Sequence, residues 1–150
     1  MAYDFTVSGR IAKPVHEVFE AVADPAKLSG YFTTGGAVGR LETGSTVTWD
    51  FADFPGAFPV RVERVVANKE IVLHWQAAPD GGPDYDTDVI MSFEALEDGR
   101  TLVSITEKGW REGEAGLKAA FGNCQGWTGM LCALKVYIEH NINLREGFYK

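Results

Sequence analysis

The stretch LKAAFGNCQGWTGMLCALKVYI, residues 117–138, decides the fold. Within it Leu117, Ala120, Cys124, Trp127, Leu131, Leu134 and Ile138 recur every three or four residues. That spacing is the apolar stripe of one long amphipathic helix. Gly122, Gly126 and Gly129 fall inside it, each costing up to about 1 kcal/mol relative to alanine. Packing must therefore hold this helix, and its small residues let a sheet or a ligand approach closely. A helix of this length cannot bury its stripe alone, so the rest of the chain must supply a broad apolar face.

The upstream sequence supplies one. Residues 3–11 alternate, with Phe5, Val7 and Ile11 on one face and Asp4, Thr6 and Ser8 on the other, as a half-buried strand does. Pro14, read as the first residue of a helix, leads into Val15, Val18, Phe19 and Val22 at helical spacing. Asp24-Pro25 repeats the cap-and-proline pattern and opens a second short helix through Leu28. From Thr33 onward Gly35-Gly36, Gly39, Gly44, Pro55-Gly56 and Gly81-Gly82-Pro83 separate segments of two-residue period. Val47, Trp49 and Phe51 share a face, as do Phe58, Val60 and Val62, then Ile71, Leu73 and Trp75. Val89, Met91 and Phe93 continue the series, followed by Val103 and Ile105. Closely spaced strands with glycine-rich turns form an antiparallel meander. The expected class is α+β: a curved antiparallel sheet of about six or seven strands wrapped around a long C-terminal helix, with two short helices between the first two strands. Residues 1–150 read as one domain of this kind, with a natural cavity between helix and sheet.

Composition narrows the partners. The net charge of -7 lacks the concentrated basic surface that nucleic acid or an anionic membrane requires. No apolar run reaches a membrane span, and the N-terminus does not read as a signal peptide. Cys124 and Cys132 lie on one helix about 12 Å apart, too far to bridge. Unpaired thiols suit a reducing compartment, so the expected location is cytoplasmic.

The order of elements resembles the START/Bet-v-1-like helix-grip superfamily (SRPBCC), and several motifs resemble the family of activators of heat-shock-protein-90 ATPase homologues. The matching residues begin with Ile11-Ala12-Lys13-Pro14 through Val18-Phe19, Ala23-Asp24-Pro25 with Leu28, and the Tyr31-Phe32 pair. They continue through Glu70-Ile71-Val72-Leu73-His74-Trp75, the run from Gly99 to Trp110, and Gly126-Trp127 leading into Leu131 and Leu134. The family usually carries tryptophan where this chain has Tyr31. The resemblance implies a helix-grip fold with a hydrophobic cavity. It does not imply chaperone activation, for which the eukaryotic activators use an additional N-terminal domain.

The chemistry-bearing residues exclude the common enzyme classes. His16, His74 and His140 form no close pair, and the cysteines are not in a CxxC arrangement. Asp84, Asp86 and Asp88 resemble the start of a calcium loop, but Val89 and Ala95 stand where glycine and glutamate are needed. The glycines at 35, 36 and 39 lead toward a strand and not a helix, so a phosphate cradle is missing. No GxSxG elbow is present, and Cys124 reads as a buried, inert thiol on the core stripe. No cofactor and no metal are expected.

Glu107 has two readings. By the parity of Val103 and Ile105 it points inward, toward the cavity rim, where a carboxylate could orient a ligand or move a proton. The favoured reading is a solvated strand end, because charged residues are rarely buried without a partner. Phe32, Trp49, Phe51, Trp75, Trp110 and Trp127 come from different elements yet fall on inward faces or at mouths. With Thr87, Met91, Glu107, Asn123 and Leu131 they form the expected ligand-binding set. The expected function is binding of a small hydrophobic or amphipathic ligand. An enzyme of cyclase or dehydratase type using a pocket carboxylate, and a protein-interaction module with a protein partner, are the alternatives.

Overall fold

The computed structural model describes residues 2–150. Seven strands run β1 (Phe5–Ile11), β2 (Gly36–Val38), β3 (Thr46–Phe51), β4 (Phe54–Val66), β5 (Glu70–Gln76), β6 (Asp86–Ala95) and β7 (Thr101–Lys108). Two short helices, α1 (Val15–Ala23) and α2 (Pro25–Leu28), separate the first two strands, and α3 (Glu114–His140) closes the order. The sheet is antiparallel throughout, in the order β1-β7-β6-β5-β4-β3-β2. This is the helix-grip architecture that the sequence implies. Pairing β1 with β7 places the first and last strands side by side, so the α1–α2 connection spans from one edge of the sheet to the other.

Alternation builds the two faces. Along β6 and β7 the buried positions are Thr87, Val89, Met91 and Phe93, then Thr101, Val103, Ile105 and Glu107. On the outer face, hydroxyl pairs lock β1 to β7: Thr6 with Thr106 at 2.7 Å and Ser8 with Ser104 at 2.9 Å. Register shifts in β4, opposite Trp49–Phe51 and between Val62 and Arg64, add the local twist that curls the sheet. Pro55-Gly56, read from sequence as a break between strands, lies inside β4. The chain instead reverses at Ala52-Asp53, and Gly56 absorbs the irregularity with φ 137°.

Caps fix the helices. Pro14 precedes α1 in an extended conformation, as the cap and not the first helical residue. Asp24 accepts a hydrogen bond from the Ala26 amide at 2.9 Å and starts α2, with Pro25 at its first position. Tyr31 keeps its aromatic place in the core, its hydroxyl donating to the Ala21 carbonyl at 2.9 Å.

The C-terminal half of α3 joins the core through Met130, Leu131, Ala133 and Leu134. The helix approaches β1 closely and stands off from β3, β4 and β5. A space between helix and sheet opens beside its N-terminal half. Cys124, placed on the core stripe by its spacing, turns away from the sheet and is partly exposed. After Asn141 ends the helix in a left-handed turn (φ 56°), the last residues fold back across it.

Candidate functional site

A concave space of about 620 Å³ lies between the N-terminal half of α3 and strands β3–β5. Its volume falls in the range of small-molecule pockets. Phe51, Phe58 and Trp75 supply the sheet wall, Phe32 one end, and Asn123, Gly126 and Trp127 the helix wall. The rings interlock: Phe32 stacks on Trp127 at 5.5 Å, Trp75 lies 5.3 Å from Trp127, and Phe51 meets Phe32 edge-on at 5.0 Å. Such offset and edge-to-face pairs favour a fixed geometry.

Behind this wall sits Glu107, fully buried. Four neutral donors converge on its carboxylate. Trp127 Nε1 donates to Oε1 at 2.8 Å, and Trp75 Nε1 donates to Oε2 at 2.8 Å. Thr87 Oγ1 donates to Oε2 at 2.6 Å, while Asn123 Nδ2 reaches both oxygens at 3.0 and 3.2 Å. A carboxylate that only accepts matches a ring of groups that only need to donate. The favoured sequence reading of Glu107 as solvated is therefore corrected. Strand β7 continues to Lys108, and four donors are the partners that a buried carboxylate needs. The donors arrive because Val89 pairs with Glu107 in register while Thr87, Trp75 and the helix residues share the inner face.

The structure distributes the remaining sequence candidates unevenly. Phe32, Phe51, Trp75, Asn123 and Trp127 line the space. Trp49 and Thr87 lie one layer behind: Trp49 meets Phe32 and Trp75 edge-on, at 5.7 and 5.8 Å. Met91 and Leu131 are core residues that fill the region where α3 rests on the sheet. Trp110 stacks on Phe5 at 6.3 Å in a separate cluster with Ala77 and Ala120, away from the space. Strand parity put Met91 and helical spacing put Leu131 on inward faces, and Trp110 read as inward or at a mouth, but an inward face is cavity wall only where the helix stands off.

Other lining residues escaped the sequence reading: Phe54, Gln76, Gln125, Arg145 and Tyr149. Arg145 forms a two-pronged ion pair with Asp53 on the β3–β4 turn, both contacts at 3.0 Å, and its guanidinium lies 4.6 Å from the Phe51 ring centre. This pins the C-terminal segment over the mouth. Arginine and aromatics clustered in residues 145–149 were the available signal. Among the described residues no group of three or more His, Cys, Asp or Glu side chains could hold a metal ion, and no helix is long and apolar enough to cross a membrane.

The model of the family described as Activator of Hsp90 ATPase homolog 1-like protein matches residues 12–139. The chain belongs to that family. Among solved structures, protein SSP2350 of Staphylococcus saprophyticus is 31% identical, with 95% of this chain and 96% of that one covered and a TM-score of 0.78. The Aha1 dimer of Colwellia psychrerythraea shares the fold at 21% identity and TM-score 0.73, covering 91% of this chain and 96% of that one. DynU16, a protein of the dynemicin biosynthetic locus, shares it at 23% identity and TM-score 0.76, with 92% of this chain but 48% of that one covered. No curated protein matches the chain.

Proposed function

We propose that this chain is a helix-grip domain that binds a small hydrophobic or amphipathic ligand, with a planar face, between α3 and strands β3–β5. The observation that carries the reading is the pair Trp75–Trp127, held as a cavity wall by one buried carboxylate. Locking both indoles on Glu107 orients the walls before a ligand arrives, which lowers the ordering cost of binding. Affinity comes from apolar area, about 25 cal/mol per Å2 buried before those costs, and Gln76, Asn123 and Gln125 supply orientation.

Proton transfer has less support. Glu107 is the one fully buried carboxylate among the described residues, and its two oxygens already take five hydrogen bonds. A base needs a free lone pair facing its substrate. A cyclase or dehydratase reading therefore lacks its central group. An interaction role of the chaperone-activator type is favoured less than ligand binding, because the tryptophans and most other aromatic side chains gather inward, with Phe54, Phe121 and Phe148 exposed.

Native mass spectrometry of the purified protein tests the proposal. A co-purifying small molecule that is lost from a Gly126→Leu variant supports it. An unliganded mass, together with tryptophan emission that no hydrophobic probe alters, overturns it.

A further inference from the structure

A second hollow of about 520 Å³ lies on the other side of the C-terminal segment, between that segment and the outer flank of α3. Its wall is almost wholly apolar, with Phe121, Met130, Ala133, Leu144 and Phe148 prominent. Three of the polar groups that border it are engaged elsewhere. Tyr31 donates its hydroxyl to Ala21, Thr128 donates to the Cys124 carbonyl at 2.8 Å, and Arg145 is held by Asp53. The wall is mainly apolar, so the chemistry that suits it is plain hydrocarbon.

Gln125, Arg145 and Tyr149 line both hollows. The partition between them is thus one side chain from α3 and two from the C-terminal segment. Tyr149 can lie across the helix only because position 129 is glycine: a methyl group there would meet the Tyr149 hydroxyl. That atom is the free end of a flexible side chain, so Tyr149 yields to a modest push while Arg145 stays fixed on Asp53.

We infer that the outer hollow is the second lobe of one binding site and takes the unbranched apolar tail of a ligand whose planar, polar-substituted head lies against Trp75 and Trp127. This rests on the first cavity being a ligand site. The two lobes divide the chemistry: aromatic walls with the Asn123 and Gln76 amides for the head, and a mainly hydrocarbon wall for the tail, with Gln125 on the partition between them. The groove runs beside residues 121–133 of α3, roughly 18 Å at the helical rise, which is room for a medium-length alkyl chain.

Ethyl gallate and octyl gallate, one head with a short or a long tail, separate the outcomes. The background is Cys132→Ser, which leaves Cys124, a residue of the outer wall, as the sole thiol of a chain with two cysteines. Both probes should quench tryptophan emission, and octyl gallate should bind about tenfold more tightly or better. Only octyl gallate should slow Cys124 alkylation by iodoacetamide, several-fold. A Cys132→Trp variant, which fills the outer lobe from an exposed position, should retain ethyl gallate binding and lose the advantage of the longer tail. Quenching by both probes with equal affinity and no protection of Cys124 overturns the second lobe while leaving the first cavity standing. If neither probe quenches and neither protects Cys124, the inference fails, because the tail then has no head site to extend from; the first cavity is judged separately by native mass spectrometry. Protection of Cys124 without quenching makes the groove a separate site, and protection that grows with protein concentration alone makes it a contact between copies; either overturns the inference.

Discussion

Trp127 on α3 and Glu107 on β7 are joined by a 2.8 Å hydrogen bond from the indole Nε1 to Oε1, and this bond ties the long helix to the sheet at the point where the two diverge. Trp75 answers from the opposite wall on the second oxygen. The carboxylate is thus the shared anchor of both faces of the cavity. Replacing it tests whether the wall is held or merely packed. Glu107→Gln puts an amide NH2 against donors, leaving at least one buried N–H without an acceptor. Stability should fall by about 2–4 kcal/mol, read from the urea midpoint. Tryptophan emission should shift as the indoles lose their acceptor. An unchanged midpoint and spectrum would remove Glu107 from the role assigned to it.

The glycines of α3 divide by what faces them. A methyl group on Gly126 meets nothing within 4 Å, whereas one on Gly116 would run into the Arg111 carbonyl. Gly126→Ala should therefore stabilise the protein by about 0.5–1 kcal/mol through helix propensity. Gly116→Ala should destabilise it by about 1–3 kcal/mol, because backbone must move. Opposite shifts in the thermal midpoint check the pair. Two shifts of the same sign would mean that the open space beside Gly126 is filled in solution.

These glycines also mark how far the sequence could be read. Hydrophobic period gave the meander and the long helix, and Asp24-Pro25 gave a cap, because each depends on neighbours close in the chain. No period marked Phe32 or Asn123, whereas Phe51 and Trp75 were legible as inward by strand parity and Trp127 by helical spacing. Parity could not separate them from Met91 and Leu131, because it says which face a side chain is on and not how far away the opposing helix stands. Glu107 was misjudged for a related reason. Its four donors come from Trp75, Thr87, Asn123 and Trp127, spread across three elements, and no local pattern announces such a convergence. The C-terminal segment carries no periodicity at all, so its place over the mouth came only from Arg145 finding Asp53.

On the outer face, His74 lies between Asp88 Oδ1 at 2.7 Å and Glu63 Oε1 at 2.8 Å. Burial works against a charge on the ring, but the hydrogen bonds to Glu63 and Asp88 outweigh it and hold the pKa above the ordinary histidine value. A pKa raised in the folded state means that the stabilisation is complete below the unfolded pKa, about 6.5, and is lost as pH rises through the folded one. The partly exposed carboxylates limit the effect to about 1 kcal/mol or less. Wild type should therefore exceed His74→Gln in thermal midpoint at about pH 6 and lose that advantage by about pH 8. A gap that widens with rising pH would contradict the ion-pair assignment.

Arg145 and Asp53 are each about nine-tenths buried, with side-chain exposures of 11% and 10%. A surface pair would contribute little, but here removing one partner strands the other out of water. Arg145→Met keeps the stem over Phe51 while leaving Asp53 unpaired, and should cost about 3 kcal/mol. The companion change Asp53→Asn should recover part of that loss, since it removes the stranded charge. Because this pair is what fastens the C-terminal segment to the β3–β4 turn, its loss should appear locally as well as globally. Amide hydrogen exchange at residues 144–149 should accelerate well beyond that of α3. If instead the segment and the helix exchange in step, the segment is held by its aromatic contacts, Phe54 with Tyr149 at 6.1 Å among them, and the ion pair is not its fastening.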